Sequence, residues 1–128
     1  MSPTQRTLTF TVPGRPVPKG RPRFARGHAY TPKKTRDAEA KVKALALVAR
    51  QEGPRKPFSG HIGVSLVFWV APGRRVDIDN LIKTVFDSCN GVLWDDDSQV
   101  SALTACRVYG SPERTDVTVQ MLMDDREA

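Results

Sequence analysis

The segment from residue 13 to residue 32 limits the fold most, because proline and glycine recur through it. PGRPVPKGRPRFARGHAYTP contains five prolines and three glycines. Proline fixes φ and lacks a backbone N–H donor, so neither a helix nor a central strand suits this spacing. The segment therefore predicts an extended loop that carries many basic side chains.

The charge of the chain is divided unevenly along its length. The first 36 residues contain nine Lys and Arg and no Asp or Glu, whereas the remainder contains eleven basic and fourteen acidic residues. This asymmetry predicts a polyanionic partner, most simply nucleic acid. The alternative is a solvated, solubilising surface. The candidate DNA-binding residues are Arg15, Lys19, Arg21, Arg23, Arg26, Lys33, Lys34, Arg36, Arg74 and Arg75.

Aromatic side chains alternate with the arginines of this loop. Phe24, His28 and Tyr30 could stack on exposed bases, or Phe24 and Tyr30 could pin the loop to the body of the protein. His28 and His61 have no His or Cys nearby in sequence, which makes both poor metal ligands.

Composition indicates one globular domain, residues 1–128, of a cytoplasmic protein. Hydrophobic residues make up 39% and charged residues 27% of the 128 residues, as in ordinary soluble domains. No apolar run is long enough to span a bilayer, and MSPTQRTLTF lacks a signal-peptide pattern. Cys89 and Cys106 have neither metal-site nor disulfide-framework spacing, so both are expected to be buried thiols. The polar tail, residues 124–128, is expected to be frayed.

Hydrophobic periodicity predicts an α+β fold in the order β-α-β-α-β-β, with helices packed on a small mixed β-sheet. The predicted strands are residues 7–12, 60–71, about 98–109 and 114–123. The predicted helices run from residue 32 to about 51 and from residue 79 or 80 to about 89.

Three local features of this prediction can be checked against a structure. Thr31 is expected to cap the first helix, with Pro32 at its first position. The strand at residues 60–71 is apolar on both sides, which predicts a central strand covered on both faces. The turn at residues 110–112 is expected to join the last two strands as a hairpin.

Two acidic clusters flank the second predicted helix. Asp77 and Asp79 precede or enter it, and the run 95–97 leads into the third strand. Mg²⁺ prefers oxygen ligands, and two or three carboxylates suffice to hold it. If the second and third strands are neighbours, the two clusters should meet at one end of the sheet. Lys83 would then face the site and stabilise phosphate charge, and Asn80 could orient a metal-bound water or a ligand.

These residues also have structural interpretations. Asp79 could simply cap the helix, and the acidic run 95–97 could be a turn. Lys83 could pair with Asp79 or with Asp87. The joint occurrence of five carboxylates at two strand ends favours metal binding, because like charges repel one another without a cation.

Two stretches resemble a known family. RVDIDNLIKTVFDSCNGVLWDDDSQV, and VPKGRPRF followed by HAYTPKKTR, are similar to the RusA family of Holliday-junction resolvases. The resemblance implies a homodimeric endodeoxyribonuclease of DNA recombination and repair, of a kind frequent in bacteria and prophages. It implies that the enzyme binds four-way branched DNA, requires Mg²⁺ or Mn²⁺ and makes paired symmetric nicks. Neither an organic cofactor nor a membrane partner is expected.

The resemblance also implies roles for individual residues. Asp77 and Asp79 match the acidic, metal-binding pair of the family. Asp97 matches its third catalytic carboxylate, with Asp96 as the possible alternative, and Lys83 matches its essential helix lysine. Two other functions remain open: a nuclease for a broader range of branched or flap DNA, and a non-catalytic nucleic-acid-binding protein.

Overall fold

The structure, a computed structural model, describes residues 7–122 and contains a four-stranded sheet, a two-stranded hairpin and two helices. The frayed tail expected at residues 124–128 and the predicted strand end at Met123 lie outside the described residues. The elements are β1 (Thr7–Pro13), β2 (Arg23–Ala25), β3 (His28–Tyr30), α1 (Lys33–Glu52), β4 (Ile62–Val70), α2 (Ile78–Cys89), a short 3₁₀ turn (Asp97–Gln99), β5 (Val100–Tyr109) and β6 (Arg114–Met121).

Strand β4 is central in a mixed sheet of order β1-β6-β4-β5. It pairs antiparallel with β6 and parallel with β5, and β1 pairs antiparallel with β6. Alternate side chains of β4 are buried against both helices, as its period of two requires; these are Ile62, Val64, Leu66, Phe68 and Val70. The predicted α+β class is therefore confirmed.

The opposite face of the sheet is only half buried, so the expectation that β4 is covered on both faces is wrong. Val67 and Trp69 lie on this second face and are partly exposed. Trp69 lies under the guanidinium of Arg114, 4.2 Å from the ring centroid, and donates a 3.0 Å hydrogen bond to Asp116. Neighbouring side chains, rather than a helix, shield this tryptophan.

The expected hairpin between the last two strands is also wrong. Strands β5 and β6 flank β4 and do not pair with each other. The 110–112 segment instead crosses the end of β4, where Gly110 donates its N–H to the carbonyl of Val70 (3.0 Å). A Cβ atom on Gly110 would lie 2.8 Å from the Trp69 ring. Glycine is therefore needed because the crossing chain touches Trp69.

The proline-rich segment contains a short hairpin that its composition did not predict. Strands β2 and β3 pair antiparallel through Ala25 and His28, with Arg26 and Gly27 as the two turn residues. Both turn residues have positive φ, 52° and 79°, as a type I′ turn requires. The usual sequence signal of such a turn is Asn-Gly or Asp-Gly. Here the first turn position is occupied by arginine, which rarely adopts positive φ, so the sequence carried no signal for this hairpin.

Helix α1 begins at Lys33, one residue later than predicted. Its N-cap is Pro32, and no side chain caps it, so the prediction for Thr31 is wrong. Thr35 is buried and accepts a 3.0 Å hydrogen bond from the N–H of Gly20, which ties the loop to the helix. The predicted stop at Gly53 is confirmed.

Of the two cysteines, only Cys89 is buried; Cys106 is exposed. The prediction for Cys106 fails because β5 lies at the edge of the sheet. Among residues 7–122, neither helix has the length and hydrophobicity needed to cross a membrane.

Candidate active site

The first turn of α2 presents two carboxylates to solvent. Asp77 is the N-cap residue but makes no side-chain capping bond, and Asp79 lies in the first turn. The N–H groups of Asn80 and Leu81 instead reach the backbone carbonyl of Asp77, at 3.2 Å each. Within residues 7–122, neither carboxylate accepts a hydrogen bond or joins an ion pair. The capping interpretation therefore does not account for these aspartates.

Lys83 lies one turn after Asp79 and is exposed. Its ammonium group makes no ion pair with any described residue. Asp87, the other carboxylate on this side of α2, is paired with Lys19 at 3.0 Å. The interpretation of Lys83 as a simple partner of Asp79 or Asp87 is therefore wrong, and its charge is available to a ligand.

The basic loop is docked on the same part of α2. Lys19 donates its backbone N–H to the carbonyl of Asn80 (2.8 Å), and its ammonium group contacts Glu39 (2.9 Å) and Asp87. Although burial lowers the pKa of Lys19, hydrogen bonds to the two carboxylates raise it above its ordinary value overall. Lys19 thus fastens the loop to both α1 and α2.

Arg74 fastens the loop at a second point. Its Nη2 donates to the carbonyl of Pro16 at 2.7 Å, and its side chain is partly buried. Burial, and the nearby charge of Arg15, lower the pKa of Arg74 below its ordinary value. Lys19 and Arg74 were both predicted to bind DNA; in the structure they position the loop beside Asp77 and Asp79.

Arg107 is a residue of this region that sequence reasoning missed. From strand β5 its Nη1 donates to the carbonyl of Val76, directly before Asp77. The contact joins residues 31 positions apart, and no local pattern predicts it. Its one sequence signal is that it is the sole charged residue in VSALTACRVY.

The second acidic cluster forms a compact turn organised by Gln99. The Gln99 Oε1 accepts the N–H groups of Asp95 and Asp96, at 2.8 and 3.0 Å, and its Nε2 donates to two backbone carbonyls in the segment 58–60. Asp96 caps the 3₁₀ turn and accepts a hydrogen bond from Ser98. Asp96 therefore has a structural task.

Asp97 is held against the end of α2. Its Oδ1 accepts a 2.6 Å hydrogen bond from the indole of Trp94, which is buried and stacks edge-on against Phe86 at 5.5 Å. Burial, followed by the negative charge of Asp97, raises the pKa of the Cys89 thiol to about 12. Phe86 and Cys89 both lie in the last turn of α2, so both relationships place Asp97 near the C-terminal end of this helix.

Within one chain the two acidic clusters lie at opposite ends of α2, so the expectation that they meet is wrong. The twelve residues of α2 span about 18 Å. The sheet register agrees, because Val100 of β5 pairs with Ile62 at the start of β4, far from its end at Val70. In residues 7–122, no three His, Cys, Asp or Glu side chains lie close enough to share one metal ion.

The remaining predicted DNA contacts lie on the surface. Arg15 pairs with Glu113 at 3.1 Å and Lys33 with Asp37 at 2.7 Å. The other predicted cations have exposed side chains that make no hydrogen bond or ion pair with described residues: Arg21, Arg23, Arg26, Lys34, Arg36 and Arg75. These six side chains leave a strongly positive surface, on the loop, on the start of α1 and after β4, open to a polyanion.

Two comparisons with known proteins match most of the chain. The family model described as endodeoxyribonuclease RusA matches residues 13–120. This range includes both acidic clusters, Lys83 and the basic loop. The chain is also similar to the uncharacterized protein YqaN of Bacillus subtilis (strain 168), with 28% identity over 138 aligned residues that cover 88% of this chain and 95% of that protein.

Proposed function

Because the chain belongs to the RusA endodeoxyribonuclease family, we propose that it is a Mg²⁺-dependent, structure-specific endonuclease that resolves four-way DNA junctions by paired symmetric nicks. The observation that carries this proposal is the first turn of α2. There two carboxylates and Lys83, all without partners among the described residues, lie beside a docked and positively charged loop. Such a site places a cation-binding group next to a surface for phosphates.

The donor set of this turn fits Mg²⁺. Asp77 and Asp79 supply oxygen ligands, and Mg²⁺ is commonly held by one or two carboxylates with waters and substrate phosphate completing its shell. The bound ion supplies a water of lowered pKa and neutralises phosphate charge. Lys83 stabilises the charge that develops on the phosphate. Arg75 and the exposed arginines of the loop bind the DNA backbone.

Asp97 joins this site from a second copy of the chain. The length of α2 prevents it from reaching Asp77 and Asp79 of its own chain, whereas a two-fold dimer can bring the end of one chain to the beginning of another. A four-way junction offers two equivalent phosphates related by a two-fold axis. A symmetric dimer with two composite sites would match both phosphates.

Complementation between inactive variants tests this arrangement. Asp79→Asn and Asp97→Asn should each bind a synthetic junction but lose nicking, by on the order of 10²–10³-fold. In a composite dimer each site takes Asp79 from one chain and Asp97 from the other. A heterodimer of the two variants therefore has both substitutions in one site and none in the other, which stays intact. Nicking should return to about a quarter of the wild-type rate, if subunits exchange at random. No recovery in mixtures shown to contain heterodimers would place each site within one chain.

Substrate range and metal dependence are tested together. Labelled four-way junction, flap and linear duplex of matched sequence are incubated with Mg²⁺, Mn²⁺ or chelator. Paired nicks confined to the junction and lost with chelator are expected. Equal cutting of the flap would indicate a nuclease of broader range, and tight binding without cutting under any condition would indicate a non-catalytic DNA-binding protein.

A further inference from the structure

We propose that Arg107 of strand β5 contacts the scissile phosphate, as a second cation beside Lys83, next to the carboxylates of Asp77 and Asp79. The proposal rests on the proposed function, because it assigns a further residue to the same site. It goes beyond that function by adding a substrate-contacting side chain from a strand that carries neither acidic cluster.

The sheet register brings Arg107 to the acidic pair. Arg107 of β5 pairs with Phe68 of β4, whose side chain is buried beneath the helices. Paired residues of neighbouring strands lie on the same face of a sheet, so the Arg107 side chain lies on the helix-bearing face. There its Nη1 donates a hydrogen bond to the carbonyl of Val76, the residue directly before Asp77.

Most of the hydrogen-bonding capacity of Arg107 remains open to a ligand. A guanidinium group has five N–H donors. Within residues 7–122, the contact with Val76 is the one hydrogen bond that this group makes, and it forms no ion pair. Because it bonds a backbone carbonyl instead of the adjacent carboxylate, the oxygens of Asp77 and Asp79 stay free for a cation. The side chain is also exposed, so a phosphate can reach its remaining donors.

Tyr109 holds the guanidinium group from a second side. The guanidinium carbon of Arg107 lies 5.7 Å from the centroid of the Tyr109 ring, a cation–π contact. The two residues are two positions apart on β5, which places them on the same face of the strand. Fixing the side chain at the ring and at the Val76 carbonyl lowers the entropy cost of binding a phosphate. The planar fork of arginine can then bind two phosphate oxygens.

The charges of the site call for a second cation. Two carboxylates balance the charge of one divalent ion, whereas the phosphodiester brings one negative charge and gains more in the transition state. Lys83 is exposed and makes no ion pair with a described residue, and it supplies one positive charge. Arg107 supplies the other. Cations aimed at developing charge accelerate the reaction more than they strengthen substrate binding.

Rates of nicking provide the first test. Arg107→Gln removes the charge and should lower the single-turnover rate constant by about 10²-fold at saturating protein. Arg107→Lys keeps the charge without the fork and should lower it by about 10-fold. Lys43→Gln is the charge-matched control, because Lys43 is exposed on α1 and its ammonium group makes no hydrogen bond or ion pair with described residues. Equal rates for Arg107→Gln and Lys43→Gln would overturn the proposal.

Variants of Tyr109 test the same assignment without changing Arg107. Tyr109→Phe keeps the aromatic ring and should nick at the wild-type rate. Tyr109→Leu removes the ring and should nick about 2- to 5-fold more slowly. Thermal unfolding of all variants shows that each is folded at the assay temperature. Equal rates for the two Tyr109 variants would contradict the role given to the ring.

Binding measurements separate a phosphate contact from a structural tie between β5 and the residues before α2. Junction affinity is measured over a range of salt concentrations in the Asp79→Asn background, with and without Arg107→Gln. Loss of one phosphate contact should reduce the slope of log Kd against log salt by about 0.9 for each scissile phosphate. A neutral methylphosphonate at the mapped nicking position should abolish this difference. A tie that acts only on the fold would leave the slope unchanged on both junctions.

Failure of this assignment and failure of the proposed function give different results. If wild-type protein nicks the junction and Arg107→Gln equals it in rate and in salt slope, Arg107 is not at the phosphate and the proposed function stands. If wild-type protein does not nick, the proposed function is wrong. An unchanged salt slope in that case would reject the phosphate contact as well.

Discussion

The indole Nε1 of Trp94 donates a 2.6 Å hydrogen bond to Oδ1 of Asp97. Trp94 is buried and braced by Phe86, so this bond fixes the direction of a carboxylate that lies at the end of α2. In the acidic turn, the Asp97 carboxylate is thus oriented by a side chain of the hydrophobic core. The other two aspartates, Asp95 and Asp96, are held through their backbone N–H groups, which donate to Oε1 of Gln99.

Replacing Trp94 should reduce the rate of nicking without changing the affinity for the DNA junction. Trp94→Phe removes the donor to Asp97 and leaves a small cavity, so stability should fall by about 1–3 kcal/mol. Nicking should fall by about 10-fold or more, because Asp97 loses its fixed direction, while junction affinity is unchanged. Trp69→Phe is the matched control, since that indole bonds Asp116 on the other face. Equal loss of nicking in both variants would show a general effect of lost stability.

The neighbouring aspartates should respond differently to amide substitution. Asp97→Asn should abolish nicking and leave the fold intact. Asp96→Asn keeps a side chain that caps about as well as Asp, so stability should change by less than about 0.5 kcal/mol, and nicking should fall by less than about 10-fold. Urea unfolding measures the stability of both variants, and single-turnover assays measure their rates of nicking. The reverse pattern, with Asp96 essential and Asp97 dispensable, would exchange their assignments.

Phe24 should contact unstacked bases. It is 78% exposed on β2, which excludes the interpretation that it pins the loop to the body. Stacking of an aromatic ring on a base contributes about 1–3 kcal/mol. Phe24→Leu should therefore weaken junction binding by about 5- to 100-fold, whereas Phe24→Trp should retain it. Titration of fluorescent junction and duplex measures both effects, and thermal unfolding should be the same for all three proteins. Identical junction affinity for the Phe24→Leu variant and the wild-type protein would exclude stacking at this position.

Glu113 should make stability depend on pH in the acidic range. A hydrogen bond from the N–H of Ala71, followed by the charge of Arg15, lowers the pKa of Glu113. Its ionised form therefore stabilises the fold above the unfolded pKa of about 4.3, and this stabilisation is lost as pH falls through the lower folded pKa. Glu113→Gln should be less stable than wild type at pH 7, with the difference shrinking in acid.

A matched substitution controls for the general effect of removing a carboxylate. Glu52 is exposed at the end of α1, and its carboxylate makes no hydrogen bond or ion pair with described residues. Glu52→Gln should follow the wild-type pH profile in urea unfolding from pH 7 to pH 3. A stability difference for Glu113→Gln that stays constant across this range would show that its charge does not carry the effect.

The sequence predicted local structure where a single physical signal dominates. The alternation of apolar residues in β4 and the amphipathic face of α2 placed both elements within a few residues of their bounds. The hairpin at Arg26 and Gly27 was missed because its turn uses an arginine at positive φ. The tasks of Lys19 and Arg74 were also missed, since their partners come from other elements.

By itself, the sequence determined which residues can carry the chemistry: the aspartates on either side of α2, Lys83 and a cationic loop stiffened by proline. Only the tertiary structure decided how they are arranged, because strand order and direction depend on pairing between distant segments, which local periodicity does not encode. Since β5 runs parallel to β4, the start of one strand lies far from the end of the other. That direction separates Asp97 from Asp77 and Asp79 within one chain.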